Sequence, residues 1–215
     1  MTLEYAYQGP KRGMDRAVLL AHGAGADMRA PALVVVADAL ADAKIPSLRF
    51  QYPYRSAGKK APDRPPVLTA ATREAAAELS RRSKLPPERL VLGGRSMGGR
   101  YCSLVAGDAD EPVPCVGLLL LGYPLHAAGK PEKERSEHFP RLRMPVLFVS
   151  GTRDALAAKP ALTKAARKVK GKATFCWLDT ADHGFRPLRS SGATIDEVLA
   201  RVAASALEWV SGLPA

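Results

Sequence analysis

The hydrophobic residues of this chain form short runs, and longer amphipathic segments separate them. The runs hold mostly consecutive apolar side chains, which is typical of strands buried on both faces of a sheet. A further run at the start of the chain, Leu3–Tyr7, is predicted to add an edge strand. The six other predicted strands are Ala17–Leu20, Ser47–Phe50, Arg89–Leu92, Val116–Leu121, Val146–Val149 and Thr174–Leu178.

The segments between these runs carry apolar residues three and four positions apart, which predicts helices. The helices are expected from about Pro31, over Leu68–Leu79, from Met97, over 156–169 and from Thr194 to Gly212. In the last helix Thr194 and Glu197 can form a capping box. Its predicted apolar face consists of Ile195, Val198, Leu199, Val202 and Trp209.

The alternation of strands and helices predicts a doubly wound α/β fold with a mostly parallel sheet of about six to seven strands flanked by helices. We expect a single domain over residues 1–215, because this length suits one α/β domain. The polar, proline-rich segment Tyr54–Pro66 is predicted to be a surface loop. Pro124–Arg143 is predicted to be a second irregular stretch, with a short helix near Glu132–His138.

Composition limits the cellular location and the binding partners that we expect for this protein. No apolar stretch approaches the roughly 20 residues of a transmembrane helix, and the first residues lack the pattern of a signal peptide. Cys102, Cys115 and Cys176 are interpreted as buried, reduced thiols, so we expect a cytoplasmic protein without membrane contacts. The 32 basic and 21 acidic residues give a net charge of +11. These basic residues are spread along the chain without interleaved aromatic residues, which favours a solvated surface over a nucleic-acid site.

One serine lies between glycines where a predicted strand meets a predicted helix. Gly94-Arg95-Ser96-Met97-Gly98 fits the G-x-S-x-G pattern of a nucleophile elbow. Such a turn is sharp and strained, and it projects the hydroxyl beyond the carboxyl ends of the strands, where ligands bind in open parallel sheets. Side chains at Gly94 and Gly98 would collide with the adjoining elements, so glycine is needed at both positions.

A serine nucleophile needs a base and a group that orients this base. Of the four histidines, His183 follows the last predicted strand and is the expected base. Asp154 follows the preceding strand and is the expected orienting acid. Asp182 is the alternative acid, although a side chain adjacent to His183 in sequence would rarely reach its Nδ1. A simple turn or N-cap role for Asp154 is the other interpretation.

Acyl transfer also needs donors for the developing oxyanion. The backbone N–H of Met97, at the start of a helix, is one candidate. The second is expected in the loop after the first buried strand, with the Ala24 N–H preferred over that of Gly25. An ordinary glycine-rich turn is the alternative interpretation of this loop, and we expect His22 to shape it.

The predicted substrate pocket contains side chains from the ends of several strands. Its candidate residues are His22, Gly23, Gly25, Arg95 and Tyr123. Arg95 beside the serine and Arg153 beside the aspartate could select anionic substrates, or each could be a structural arginine paired with a carboxylate.

The motifs HGAG, GRSMG, GTRD and DHGF, in the order serine, aspartate, histidine, resemble the α/β-hydrolase fold. The resemblance runs from about Arg16 to Trp209. The stretches GYPLH and GKPE are similar to a small branch that includes testis-expressed-thirty-like proteins and the hydrolase-like domain of a histone-acetyltransferase complex subunit. Bacterial members are often labelled dienelactone-hydrolase-like. Dienelactone hydrolases proper use a cysteine nucleophile, whereas this chain carries Ser96.

The resemblance implies a serine hydrolase with a Ser96, Asp154 and His183 triad and an acyl-enzyme mechanism. The insertion between the strands at 116–121 and 146–149 is short and charged, so we expect no large cap domain and a substrate among small, fairly polar esters or thioesters. No metal and no cofactor is expected. Because the branch includes scaffold members, a non-catalytic interaction module is the alternative.

Overall fold

A computed structural model of the chain describes residues 3–11 and 14–214, and its seven strands form one sheet. The order across the sheet is β1-β3-β2-β4-β5-β6-β7, where only the β1–β3 pair is antiparallel. This architecture confirms the predicted doubly wound, mostly parallel sheet. The strands are β1 (Tyr5–Gln8), β2 (Ala17–Ala21), β3 (Ser47–Phe50), β4 (Leu90–Arg95), β5 (Gly117–Leu121), β6 (Val146–Gly151) and β7 (Ala173–Leu178).

Helices cover both faces of this sheet. One apolar core lies between the sheet and the first and last helices, and the other lies beneath the helices between them. The helices are α1 (Pro31–Asp42), α2 (Pro53–Ser56), α3 (Pro65–Ser83), α4 (Met97–Ala106), α5 (Lys159–Ala166) and α6 (Ile195–Ser211). Short 3₁₀ turns occur at Pro87–Arg89, Phe139–Arg141 and Arg189–Ser191.

The consecutive leucines of β5 show why these runs form central strands. Leu118 and Leu120 belong to the core under α3–α5, while Leu119 and Leu121 belong to the core under α1 and α6. Side chains of a strand alternate between faces, so a strand covered on both faces needs apolar residues at every position. All four leucines are fully buried, and each buried leucine contributes about 1.5–3 kcal/mol relative to an exposed one.

Two strands run farther toward the carboxyl edge than predicted. β4 continues through its glycines to Arg95, because Gly93 and Gly94 still pair with Leu119 and Leu120 of β5. β6 likewise continues to Gly151, which pairs with Leu178. With these extensions, β4 ends directly before Ser96 and β6 ends three residues before Asp154.

The loop predictions need three corrections. The predicted surface loop Tyr54–Pro66 contains most of α2, and its Tyr54 side chain is buried among apolar residues. α3 begins inside the same segment, at Pro65, because proline is favoured in the first turn of a helix. No helix forms at Glu132–His138. This charged stretch has no apolar face, and the chain forms only the 3₁₀ turn that follows it.

Smaller differences concern helix ends and cysteines. α5 is shorter than the predicted 156–169, and it begins just before Pro160. Ile195, predicted on the apolar face of α6, is 41% exposed at its first position. All three cysteines are free, but only Cys102 is buried, while Cys115 and Cys176 are half-buried.

The segment between β5 and β6 contains a single 3₁₀ turn and forms no cap over the carboxyl edge. Among residues 3–11 and 14–214, none of the helices is long and apolar enough to cross a membrane.

Candidate active site

Ser96 occupies the turn between β4 and α4. Its backbone has φ 50° and ψ −113°, which is an unfavourable conformation for a residue with a side chain. The turn is held in place because the Ser96 N–H donates to the Leu121 carbonyl at 2.9 Å and the Ser96 carbonyl accepts from the Arg100 N–H at 3.0 Å. Both neighbouring elements therefore fix the direction of the hydroxyl.

The glycines around Ser96 are required by close contact with β2. A Cβ atom at Gly94 or at Gly98 would overlap the carbonyl oxygen of Ala21. The side chains of both positions would therefore collide with the neighbouring strand, as the sequence predicts. Because these glycines have no side chain, α4 and β4 approach the end of β2 at backbone contact distance.

Three predicted residues from separate parts of the chain meet at this edge. Ser96 Oγ lies 2.9 Å from His183 Nε2, and His183 Nδ1 lies 2.8 Å from Asp154 Oδ2. The carboxylate accepts a hydrogen bond only from a protonated nitrogen, so Nδ1 carries the proton of the neutral imidazole. Nε2 is then free to accept the Ser96 hydroxyl proton.

Asp154 is well placed to orient the imidazole. Its side chain is fully buried, and its second oxygen, Oδ1, accepts the Leu156 N–H at 2.8 Å. The side chain of Asp154 can therefore stabilise its turn through one oxygen and orient the His183 imidazole through the other.

The alternative acid, Asp182, does not bind the imidazole. Its Oδ1 accepts the Gly184 N–H at 2.7 Å and the Arg186 N–H at 2.9 Å. Asp182 thus closes the loop that carries His183, and the structure brings Asp154 rather than Asp182 to Nδ1.

Two backbone amides near Ser96 are available to a ligand. No described residue accepts a hydrogen bond from the N–H of Met97 or of Ala24. Ala24 lines the cavity beside Ser96 and Gly25 does not, which favours Ala24 over Gly25 as the second donor.

Both ring nitrogens of His22 make hydrogen bonds to the backbone near the end of β2. Its Nδ1 donates to the Gly23 carbonyl at 2.9 Å, and its Nε2 accepts the Tyr52 N–H at 3.0 Å. The ring is fully buried, and burial lowers its pKa. A neutral histidine with both nitrogens occupied holds the loop in shape, as expected from the sequence.

A cavity of about 520 Å³ opens beside the serine and histidine. Two of the predicted pocket residues, Gly23 and Arg95, line it, together with Ala24. The structure does not bring the other three, His22, Gly25 and Tyr123, to this cavity. Tyr123 is buried in the core, where it packs on Phe139 and donates its hydroxyl proton to the Arg135 carbonyl.

The opposite wall of the cavity was missed by sequence reasoning. It comes from the first turns of α1 and α6 and from the end of the His183 loop. Hydrophobic periodicity assigns Ile195 to the apolar face of the last helix, so the sequence contained no signal of this wall. The wall residues are Ala26, Ala30, Pro31, Ala32, Gly184, Arg186, Ile195, Asp196 and Leu199.

The two arginines beside the triad positions differ in their surroundings. Arg95 lines the cavity, and its guanidinium lies 4.5 Å from the centre of the Phe185 ring. Burial lowers the pKa of Arg95 to about 10, so this side chain remains a cation at neutral pH. Arg153 is exposed, does not line the cavity and donates to the Thr180 carbonyl at 3.2 Å.

Solved structures share this arrangement of elements at low sequence identity. The chain is 21% identical to XC6422 from Xanthomonas campestris, described as a serine hydrolase without a lid, with a TM-score of 0.65 over 99% of this chain and 90% of that one. It is 19% identical to a dienelactone hydrolase from Anabaena variabilis, with a TM-score of 0.72 over 99% and 93% of the two chains. Est1E from Butyrivibrio proteoclasticus, solved with ferulic acid, is 16% identical, with a TM-score of 0.69 over 97% and 96%.

These likenesses concern the fold, and the sequence itself assigns the family. Residues 14–211 match the profile of a family described as an alpha/beta hydrolase domain. This match covers nearly all of the chain, including Ser96, Asp154 and His183. The protein therefore belongs to the α/β-hydrolase family and has no cap domain.

Proposed function

We propose that the protein is a serine hydrolase that cleaves small, fairly polar esters or thioesters. The observation that carries the proposal is the continuous hydrogen-bonded chain from Ser96 Oγ through His183 to Asp154, at the wall of a cavity. This chain has the geometry that nucleophilic catalysis by a serine requires.

In the first step, Ser96 Oγ attacks the acyl carbon of the substrate while His183 Nε2 takes the hydroxyl proton. The carbonyl oxygen becomes an oxyanion, which accepts hydrogen bonds from the Met97 and Ala24 amides. As the carbonyl re-forms, the bond to the leaving group breaks, and His183 returns the proton to the leaving oxygen or sulfur. Asp154 stabilises the imidazolium throughout this step.

In the second step, water hydrolyses the acyl-enzyme. His183 Nε2 takes a proton from the water, and the resulting hydroxide attacks the acyl carbon. Ser96 leaves with the proton that His183 gives back, and the carboxylic acid product departs. Both steps balance with the substrate, one water molecule and groups of this chain.

The cavity supports small substrates. Short side chains, among them Ala24, Ala26 and Ala30, line the cavity together with exposed residues of the His183 loop and α6. The segment between β5 and β6 builds no apolar tunnel over it. A short acyl group can be enclosed here, whereas a long chain would extend into water.

Labelling with a fluorophosphonate tests the nucleophile directly. Ser96 Oγ should bond to phosphorus with loss of fluoride, and peptide mass spectrometry should place the adduct on Ser96. Ser96→Ala should abolish both labelling and esterase activity. The matched control is Ser191→Ala, which removes an exposed hydroxyl far along the chain and should retain both.

The alternative role, an interaction module on a hydrolase fold, predicts a different result. Folded wild-type protein would then fail to react with the fluorophosphonate and would hydrolyse no ester of the panel above the rate of Ser96→Ala.

Chain-length preference tests the substrate class. p-Nitrophenyl acetate and butyrate should give kcat/KM values at least tenfold above that of the palmitate, because the cavity cannot cover a long acyl chain. Faster hydrolysis of the palmitate would contradict the assignment to small substrates.

A further inference from the structure

Arg95 is the last residue of β4 and directly precedes Ser96. It lines the same cavity as Ser96 and His183. A substrate held at Ser96 would therefore share this cavity with Arg95.

This guanidinium has no ion-pair partner. Within the described part of the chain, no carboxylate oxygen lies within 4.0 Å of it. Its hydrogen bonding is limited to one long contact, from Nη1 to the Leu121 carbonyl at 3.5 Å. Nε and Nη2 have no partner among these residues, and neither is shut off from solvent. The interpretation of Arg95 as an arginine paired with a carboxylate is therefore not supported.

The two carboxylates that act electrostatically on Arg95 already accept hydrogen bonds from other groups. Asp154 and Asp182 both act on the guanidinium from a distance. The two oxygens of Asp154 accept the His183 ring and the Leu156 amide. Oδ1 of Asp182 accepts two amides of its own loop. Neither aspartate makes the direct contact that would complete the hydrogen bonding of Arg95.

Two residues with positive φ lie beside the guanidinium. Gly122 has φ +59°, and a Cβ atom there would lie 2.6 Å from Arg95 Nη1. On the other side, Phe185 has φ +64°, which is costly for an aromatic residue, and its ring lies under the guanidinium. A cation on an aromatic face keeps its in-plane donors free for a ligand.

An arginine with free donors is suited to planar anions. The guanidinium presents N–H groups in a rigid fork that matches a carboxylate in a bidentate manner. Partial removal from water already lowers the pKa of Arg95, so this cation without an ion-pair partner carries a cost that an anion bound in the cavity would offset.

We propose that Arg95 is a specificity-determining residue that binds a carboxylate carried by the substrate, close to the bond that is cleaved. The preferred substrates are then esters or thioesters with a free acid group on their acyl part, such as half-esters of dicarboxylic acids. This inference rests on the proposed hydrolase function and names the substrate class of that site.

Matched esters test the inference. The p-nitrophenyl half-ester of adipic acid and p-nitrophenyl hexanoate have acyl chains of equal length and differ in terminal charge. The wild-type protein should show at least a tenfold higher kcat/KM for the anionic ester. Arg95→Gln should lower this anionic-to-neutral ratio by at least tenfold, mainly through KM of the anionic ester.

Two further variants separate specificity from a structural effect. Arg95→Lys should restore part of the ratio, because it keeps the charge without the fork. Arg153→Gln removes an exposed arginine outside the cavity and should leave the ratio unchanged. If Arg95→Gln lowers the rates on both esters equally, or if the wild-type ratio is near one, the inference is wrong while the hydrolase function stands.

A binding measurement keeps the inference testable apart from catalysis. Calorimetric titration of adipate into Ser96→Ala should show saturable binding that disappears in Ser96→Ala/Arg95→Gln. Equal binding by both proteins, or none by either, overturns the role of Arg95. Failure of wild-type protein to react with the fluorophosphonate would instead count against the hydrolase function.

Discussion

Asp154 and Asp182 flank the imidazole of His183 in different ways, and the difference decides which carboxylate can act on the reaction. Asp154 contacts the ring nitrogen, while Asp182 contacts only the backbone of the loop. The two residues therefore form a natural pair for mutation.

Asp154→Asn should lower kcat by about 10²–10⁴-fold, because an amide can stabilise the wrong tautomer and cannot neutralise the imidazolium. Asp182→Asn should keep activity within about tenfold, since its amide oxygen can still accept the Gly184 and Arg186 amides. Steady-state kinetics on p-nitrophenyl butyrate, with circular dichroism as a check of folding, measures both. A larger loss in Asp182→Asn would reverse the assignment.

The sequence predicts the residues that follow strands, since parallel strands all end at one edge. Ser96, Asp154 and His183 could be brought together on this basis. Tyr123 could not be placed in the same way. Gly122 has a positive φ and turns the chain, so the next side chain enters the core rather than the cavity.

At the scale of elements, contact between β2 and the start of α4 depends on glycine rather than on side-chain packing. The Ala21 carbonyl at the end of β2 faces both Gly94 and Gly98. Helix periodicity in the sequence locates α4 but gives no indication of such a close approach.

Gly98→Ala should destabilise the protein by about 1–3 kcal/mol, because the added methyl group overlaps the Ala21 carbonyl. It should also slow fluorophosphonate labelling of Ser96. Urea unfolding gives the stability change. Gly212→Ala is the control, since Gly212 has φ −84° and no neighbour closer than 3.4 Å, and it should change stability by less than about 0.5 kcal/mol.

In α6, the sequence pattern predicts the cap and the buried stripe correctly but misplaces one residue. The predicted capping box is present, with Thr194 and Glu197 each accepting from the other's backbone. The buried stripe of Val198, Leu199 and Val202 is also confirmed. The first turn extends beyond the sheet, however, so Ile195 faces the cavity instead of the core. The spacing of apolar residues along a helix does not indicate where the sheet that the helix packs on ends.

At the scale of the whole molecule, one histidine far from the cavity links folding to pH. His138 is buried beneath α4, and its Nε2 lies 2.8 Å from Ser103 Oγ. Burial, together with Arg100 and Arg141, lowers its pKa from 6.5 to about 4. The folded protein therefore keeps His138 neutral under conditions where the unfolded chain binds a proton.

Stability should consequently fall as the pH drops from about 6.5 to about 4, by about 3 kcal/mol from His138 alone. Below pH 4 both states are protonated at this residue, and its contribution changes no further. Urea unfolding at pH 7, 5.5 and 4.5 measures the slope. His138→Gln should reduce the slope by about one proton, and an unchanged slope would exclude His138 as its source.

The backbone contact at Ala21 fixes one part of this site, whereas the side chains of the cavity wall can be changed by mutation. The Met97 and Ala24 amides are joined through two backbones in direct contact, without an intervening side chain. The cavity wall formed by Ala30, Pro31 and Ile195 belongs to the starts of α1 and α6. Mutations can therefore reshape substrate preference while the spacing of the two amides stays constant, which makes this scaffold open to the evolution and engineering of new specificities.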